Sequence, residues 1–352
     1  ISRGELNKFL LTKAEAAGAS IRFECPLVDA DFEAGTATFE SKGERFSVET
    51  ELLIGCDGAP SALRAAMVQR AGCEASVDML SHGYKELTFP AAPGGGFAMR
   101  EDALHIWPRG DHMLMGLPNP DGSFTGTLYL ARTGEQSFES LTSAEDVVAF
   151  FETHYPDSVA LLPGLGESFM STPMGELGTV RSFPWNVGGR ALLVGDSAHG
   201  IVPFFGQGLN CGFEDCVVLA QLLDEQDDME IVFTAYAASR KTNTDAIADM
   251  ALANFVEMRD SVGDPAWLLR KGVQGALEKA FPTRYRSRYA MVMYSYIPYR
   301  HAFDAGLIHG IILDELCEGL DDPESVDLER ASALIDERLK PFLDANDIDL
   351  EF

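Results

Sequence analysis

The residues from Leu192 to Cys216 read LLVGDSAHGIVPFFGQGLNCGFEDC. They place an acid (Asp196), a histidine (His199), a proline-aromatic step (Pro203, Phe204) and an amide (Asn210) on one stretch broken by glycines. An apolar run ending in Gly-Asp reads as a buried strand reaching the edge of a sheet. An acid at that point can accept hydrogen bonds from ribose or ribityl hydroxyls. Gly206, Gly208 and Gly212 let backbone come close to a ligand, and the amides opening the next helix can hold an anionic or electron-rich atom. A related segment lies upstream, where ELLIGCDG ends a short apolar run in Asp57-Gly58, followed by Ser61 and Arg64. Ligands of open α/β sheets bind at the carboxyl ends of the strands. A single Asp-Gly is an ordinary turn, but two such units in one chain point to a nucleotide-type site. His199 reads as a loop histidine satisfied by backbone, with no catalytic role.

The elements that must position these residues follow from periodicity. A helix is expected over 2–18, opened by a capping-box pattern at Ser2 and Glu5. Strands are expected near 20–25, 35–41 and 44–50, then ELLIGCDG as a buried parallel strand and SALRAAMVQR as a helix. From about 81 to 178 the runs YKELTF, ALHIWP, HMLMGLP and FTGTLYL predict an antiparallel sheet, with a helix capped by Ser143 inside it. ALLVGD returns to the first pattern, and a helix is expected from Gly208 to Leu223. From 228 onward the chain reads as helical, with breaks at Gly263-Asp264-Pro265, Pro282 and Pro298. An α/β piece interrupted by a sheet makes a two-domain layout whose cleft suits a ligand.

The 352 residues carry 55 acidic and 27 basic side chains, a formal net charge of -28. Such a surface repels phosphate backbones and anionic membranes, so neither is an expected partner. No apolar run approaches the roughly 18–20 residues of a membrane helix. The six cysteines form no C-x-x-C pair and lack His at metal spacing. They therefore predict no disulfide, no metal and a cytoplasmic location.

ELLIGCDGAPSALR and LLVGDSAHGIVPFFGQGLNCGFED resemble the second and third flavin-binding motifs of the single-component FAD-dependent aromatic hydroxylases. SHGYKELTFP, LHIWPR, LMGLPNPDGSFTGTLYL, VPFFGQGLNCGFEDC and NFVEMR are similar, more narrowly, to the kynurenine 3-monooxygenases. The resemblance runs in order through roughly residues 2–300. It implies that NADPH reduces FAD, that reduced flavin captures O2 as a hydroperoxide, and that oxygen passes to the ring of L-kynurenine to give 3-hydroxykynurenine. It implies no catalytic side chain, because the flavin carries the chemistry. An α/β fold (α+β overall) follows, with a Rossmann-like FAD domain over 1–80 and 179–227, an inserted antiparallel-sheet substrate domain over 81–178 and a helical region over 228–352.

By the same resemblance, Arg3, Asp57, Gly58, Asp196, Gly208, Leu209 and Asn210 match cofactor-binding positions. Leu104, Met113, Met115, Leu117, Tyr129, Pro203 and Phe204 match the apolar substrate wall. Asn254, Glu257, Met258 and Tyr289 match its polar end. Periodicity agrees in part: Met113, Met115 and Leu117 share a strand face, and Asn254, Glu257 and Met258 share a helix face, though both patterns are commoner in cores than in pockets.

The sequence also departs from the resemblance. It lacks the G-x-G-x-x-G fingerprint of the FAD pyrophosphate, which in relatives lies upstream of Arg3, so an N-terminally truncated enzyme missing its first βαβ unit is expected. Tyr129 stands where relatives more often carry Phe, and Met115 where they often carry Ile. The tail lacks the membrane anchor of animal relatives. A hydroxylase of another phenolic or anilinic substrate, or a non-catalytic remnant of the fold, stays open at this point. If the acidic surplus reflects adaptation to high salt, screening of carboxylate repulsion should raise the thermal midpoint between low and molar salt; an unchanged midpoint refutes it.

Overall fold

The two apolar runs that end in Asp-Gly and Gly-Asp become neighbours. In the computed structural model, which describes residues 3–261 and 264–351 without the side chains of Arg3, Asp260 and Ser261, the chain opens with α1 (Arg3–Ala16). A meander of β1 (Leu27–Asp31), β2 (Thr36–Ser41) and β3 (Glu44–Glu49) follows. Next come β4 (Leu53–Gly55) and α2 (Ala62–Arg70). A long strand, β5 (Glu74–Phe89), leads to β6 (His105–Pro108), β7 (Met113–Pro118) and β8 (Phe124–Ala131). Helices α3 (Ala144–His154), α4 (Pro156–Val159) and α5 (Leu165–Ser171) precede β9 (Gly175–Phe183), β10 (Asn186–Val187) and β11 (Ala191–Leu193). The remainder is helical: α6 (Asp196–His199), α7 (Gly208–Glu225), α8 (Met229–Val256), α9 (Pro265–Ala280), α10 (Arg288–Tyr294), α11 (Tyr299–Cys317), α12 (Leu328–Leu334) and α13 (Lys340–Ala345). No helix among the described residues is long and apolar enough to cross a membrane.

β11 pairs parallel with β4, Ala191 opposite Leu53 and Leu193 opposite Gly55. Both strands therefore deliver their following loops to the same edge. The five-stranded antiparallel sheet has the order β6-β7-β8-β5-β9. Alternation along its strands gives it two faces. Leu114, Leu128 and Leu130 pack with Phe151 of α3 and Phe169 of α5. Met113, Met115 and Tyr129 face the other way, against Phe204, Phe255 and the helical part. Beside the parallel pair, Leu63 and Met67 of α2 pack with Leu192, Trp185 and Phe233 of α8.

Several expectations change. No strand forms at 20–25; pairing starts at Leu27, because Glu24 has a positive φ of 54° and Pro26 has no N–H to donate. The sheet is longer than YKELTF suggests, since β5 begins at Glu74 and exchanges partner along its length. Its first part pairs with β9 and its second with β8, with an irregularity between Met79 and Gly83. β5 and β9 thus run across positions 80 and 178. The predicted helix over 2–18 ends at Ala16, and its cap at Ser2 lies outside the described residues. Gly263 also lies outside them, while Asp264 caps α9 through Ala266 N–H. Ser143 caps α3, as the sequence predicts, and Asp146 reciprocates to complete a capping box.

Gly55 is buried where α2 crosses β4, and a Cβ there would come within 2.6 Å of Leu63 Cδ2. Overpacking of this kind costs about 1–3 kcal/mol. Gly55→Ala should lower the urea midpoint accordingly; an unchanged midpoint would show that β4 and α2 are not in this close contact.

Candidate active site

The two loops are cross-linked at the shared edge. Ser197 Oγ donates to Gly55 O at 2.6 Å, and Arg64 Nη1 donates to Ser197 O at 2.6 Å. Arg64 is buried and has no carboxylate partner in hydrogen-bond range among the described residues; its second contact is Ala59 O. Desolvation lowers its pKa, with Asp57 opposing. Asp57 is exposed and turned back to the chain: its Oδ2 accepts from Ala62 N (2.8 Å) and Leu63 N (3.1 Å), capping α2. Gly58 follows at φ +75°.

On the other strand, Gly195 takes φ +66° and ψ -142°, a conformation open only to glycine. Asp196 then starts α6 with its carboxylate accessible. Even so, partial desolvation in the concave edge raises its pKa, with His199 opposing and Asp215 adding to the shift. A Cβ built on Gly206 or Gly212 meets nothing within 4 Å, so both glycines border open space. Helix α7 begins at Gly208 without a side-chain cap, and Leu209 and Asn210 are exposed on its first turn. Its leading amides are thus free to donate.

Behind this edge lies a buried network that residue types alone did not reveal. Asp215 is fully buried and accepts from Gly195 N (3.1 Å) and Arg240 Nε (2.6 Å), with His199 Nε2 at 2.6 Å. His199 is therefore satisfied by a carboxylate, not by backbone as the sequence reading had it. Burial alone would push the Asp215 carboxyl up; the hydrogen bonds and charges of His199 and Arg240 outweigh it and hold the pKa below the usual range. Cys211 completes a cluster with His199 and Asp215 of the kind that can bind a metal. Here Arg240 reaches Cys211 Sγ at 3.6 Å and neutralises Asp215, which disfavours a cation, and burial raises the thiol to about 12.

The substrate-side residues fall into two groups on either side of the Pro203–Phe205 turn. Phe204 packs on Tyr129 (4.9 Å between centroids) and Phe255 (4.4 Å), with Met113, Met115 and Met258 in the same cluster. Phe205 turns the other way, toward Tyr289 at 5.8 Å. There Asn254, Glu257 and Tyr289 line a cavity of about 290 Å³. Asn254 joins the groups: its Nδ2 donates to Phe204 O at 2.6 Å and lies 3.3 Å from Met258 Sδ. Beyond Val256, Glu257–Ser261 form a wider π-helical turn, and Glu257 pairs with Lys271 at 2.8 Å. Pro203 is exposed. Leu104 (45%) and Leu117 (47%) are also exposed and belong to neither group. Arg3 starts α1, and its side chain lies outside the described residues.

Sequence reasoning missed Asp215, Arg240, Gln207 and Tyr299. Gln207 is buried; its Oε1 accepts from Tyr299 Oη (2.9 Å) and Asn210 Nδ2 (3.2 Å), which fixes the entry to α7. A carboxylate eight residues into a helix reads as surface, and only its depth marks it otherwise.

Removing Asp215 leaves His199 without its carboxylate and Arg240 with only the half-exposed Glu214, at 2.9 Å, as its ion partner. Breaking a buried pair costs about 3–5 kcal/mol, so Asp215→Asn should destabilise by that order at neutral pH. Because the folded pKa is depressed, the contribution is complete above the unfolded value near ~3.9 and is lost as pH falls through the folded pKa. The gap between wild type and variant in denaturant titrations should therefore close in acid. A gap that persists unchanged to the acid limit would contradict the ionised network.

An FAD-binding-domain family model matches residues 1–249. The chain is 51% identical over 346 residues to kynurenine 3-monooxygenase of Myxococcus xanthus, covering 97% of this chain and 75% of that protein. It is 43% identical over 343 residues to kynurenine 3-monooxygenase of Xanthomonas axonopodis pv. citri, with coverage of 97% and 75%. Among solved structures, 2-methyl-3-hydroxypyridine-5-carboxylic acid oxygenase matches with a TM-score of 0.59 at 21% identity, covering 75% of this chain and 69% of that one. Klebsiella pneumoniae HpxO, complexed with FAD and uric acid, matches at 0.58 and 18% identity, covering 90% and 71%. Those two likenesses establish the fold. By sequence, the chain belongs to the FAD-binding kynurenine 3-monooxygenase family.

Proposed function

We propose that this protein is a flavoprotein monooxygenase that hydroxylates L-kynurenine to 3-hydroxykynurenine, using FAD with NADPH and O2 as co-substrates. The observation that carries this reading is the 51% identity to a kynurenine 3-monooxygenase over nearly the whole chain. Small-molecule partners, no nucleic acid and a cytoplasmic location belong to the same reading, in keeping with the acidic surface.

The residues at the sheet edge fit FAD. Open space beside Gly206 and Gly212, the uncapped amides of α7 and an accessible Asp196 carboxylate form an edge that accepts hydroxyls and donates to electron-rich atoms. We assign Asp196 to the ribityl hydroxyls, the Gly208–Asn210 backbone to the isoalloxazine, and Asp57, Gly58 and Arg3 to the rest of the cofactor. When bound, FAD supplies electron transfer from NADPH and activation of O2. The chain's own groups then bind and shield. Met113, Met115, Tyr129, Phe204 and Met258 form a dry wall that excludes water; Leu104, Leu117 and Pro203 are exposed and stand outside it. Asn254 has spent its Nδ2 on Phe204 O, so its Oδ1 is the atom that can accept from the ammonium of an amino-acid substrate. Tyr289 and Glu257 stand on the same cavity.

L-Kynurenine, and not hydroxybenzoate or salicylate, should stimulate NADPH oxidation by the FAD-loaded protein; absence of stimulation sinks the substrate assignment. Asn254→Ala should weaken kynurenine binding by about 1–3 kcal/mol, the cost of leaving a buried partner unpaired. An unchanged binding constant would remove Asn254 from the site.

A further inference from the structure

The turn that leads into α7 is tied to a part of the chain that the hydroxylation reading gives no role. Tyr299, the first residue of α11, is 8% exposed and donates its hydroxyl to Gln207 Oε1 at 2.9 Å. Burial, with Cys211 and Glu214 adding to it, pushes the phenol above its ordinary pKa, so it stays protonated and remains a donor. Its own position is fixed from behind: the next amide, Arg300 N–H, donates to Asn243 Oδ1 of α8 at 3.1 Å.

Gln207 is 3% exposed, and both ends of its amide are engaged. A second donor, Asn210 Nδ2, reaches Oε1 at 3.2 Å, while Nε2 points to Met293 Sδ of α10 at 3.1 Å. A thioether can only accept. Reversing the Gln207 amide would set its oxygen against that acceptor, so Met293 selects the orientation and the Tyr299 hydroxyl reinforces it. The choice passes on to Asn210, which is exposed on the first turn of α7. With Nδ2 spent on Gln207, Asn210 has Oδ1 left to offer, and that oxygen makes no hydrogen bond among the described residues. It adds an acceptor to a row of backbone amides that are all donors. Such a set suits a cyclic imide, whose N–H lies between two carbonyls, and the isoalloxazine carries an imide edge.

We propose that Tyr299 is a positioning residue of the flavin site, acting through Gln207 to keep the Asn210 side-chain oxygen, and not its NH2, turned to the cofactor. The consequence for the cofactor rests on the FAD reading; the geometry of the relay does not. An acceptor on the imide N–H works against reduction of the ring, whereas a donor in its place would stabilise the electron-rich reduced form. Without the Tyr299 hydroxyl the two amides can reverse together, so its loss should make the flavin easier to reduce.

The midpoint potential of the FAD-loaded protein, measured by dye equilibration, tests this. Tyr299→Phe, which keeps the ring and its packing, should raise the two-electron equilibrium about threefold, or about 15 mV. Gln207→Leu should raise it about tenfold, or about 30 mV. The double variant should shift no further than Gln207→Leu alone, because Tyr299 acts through that amide. Thermal melts establish which variants are folded; a merely structural Tyr299 would lower the melting temperature and leave the potential where it is. An unmoved potential in folded Tyr299→Phe, or a double variant that shifts further than Gln207→Leu, would overturn the proposal. A second measurement needs no cofactor. In spectra of isotope-labelled asparagine, with the Asn210 side-chain NH2 assigned by its loss in Asn210→Ala, the signal should move toward that of a free amide in both single variants. A protein that takes up no FAD refutes the cofactor reading, and the Asn210 amide then decides the relay: a signal unchanged in Tyr299→Phe overturns it.

Discussion

A carboxylate with no solvent exposure must be satisfied completely or it destabilises the fold. Asp215 meets that constraint by drawing three separate segments to itself: the strand end at Gly195, the short helix carrying His199, and α8 through Arg240. The cofactor-side loop is therefore held as part of one buried polar unit, whose members reinforce one another in the low dielectric of the interior. The same helix reaches the other end of the loop. Arg240 and Asn254 are close to four turns apart on α8, so they project from nearly the same face. The middle of α8 thus holds Gly195 through Asp215, and its C-terminal turn holds Phe204 O directly. The stretch between them, which carries Asp196 and the aromatic turn, is pinned at both ends by a single rigid rod.

The parallel pairing of β4 and β11 has a comparable role at the front of the site. It converts a separation of well over a hundred residues into adjacent loops, which Arg64 and Ser197 then tie together. The antiparallel sheet can be inserted between the two strands without disturbing their register, because its strands pair only with one another, and its edge strand β9 joins the α6 segment through Val180 N–H to Gly200 O. The chain closes one α/β edge from two distant pieces and hangs a substrate wall between them.

Much of this was legible from local chemistry. The short apolar runs ending at Asp57 and Asp196, the capping box at Ser143 and the alternation of Met113 and Met115 are all local signals, and the structure forms the corresponding elements. What local signals could not supply was partner choice. His199 required knowing that α7 buries Asp215 beside it. The extent of β5 required knowing that it changes partner at a bulge. Leu117 continues the alternation of β7 but falls near the strand's end, where the helical part no longer covers it.

The two faces of the central sheet also divide the effects of change. Along β7, Met113 and Met115 look toward the aromatic turn, whereas Leu114 between them looks into the separate core under α3 and α5. Neighbouring codons therefore answer to different selective pressures. One set can drift with the shape of the molecule that the wall encloses, while the other is constrained by packing that never meets that molecule. A lineage could retune its pocket one alternate residue at a time and leave the scaffold beneath it intact.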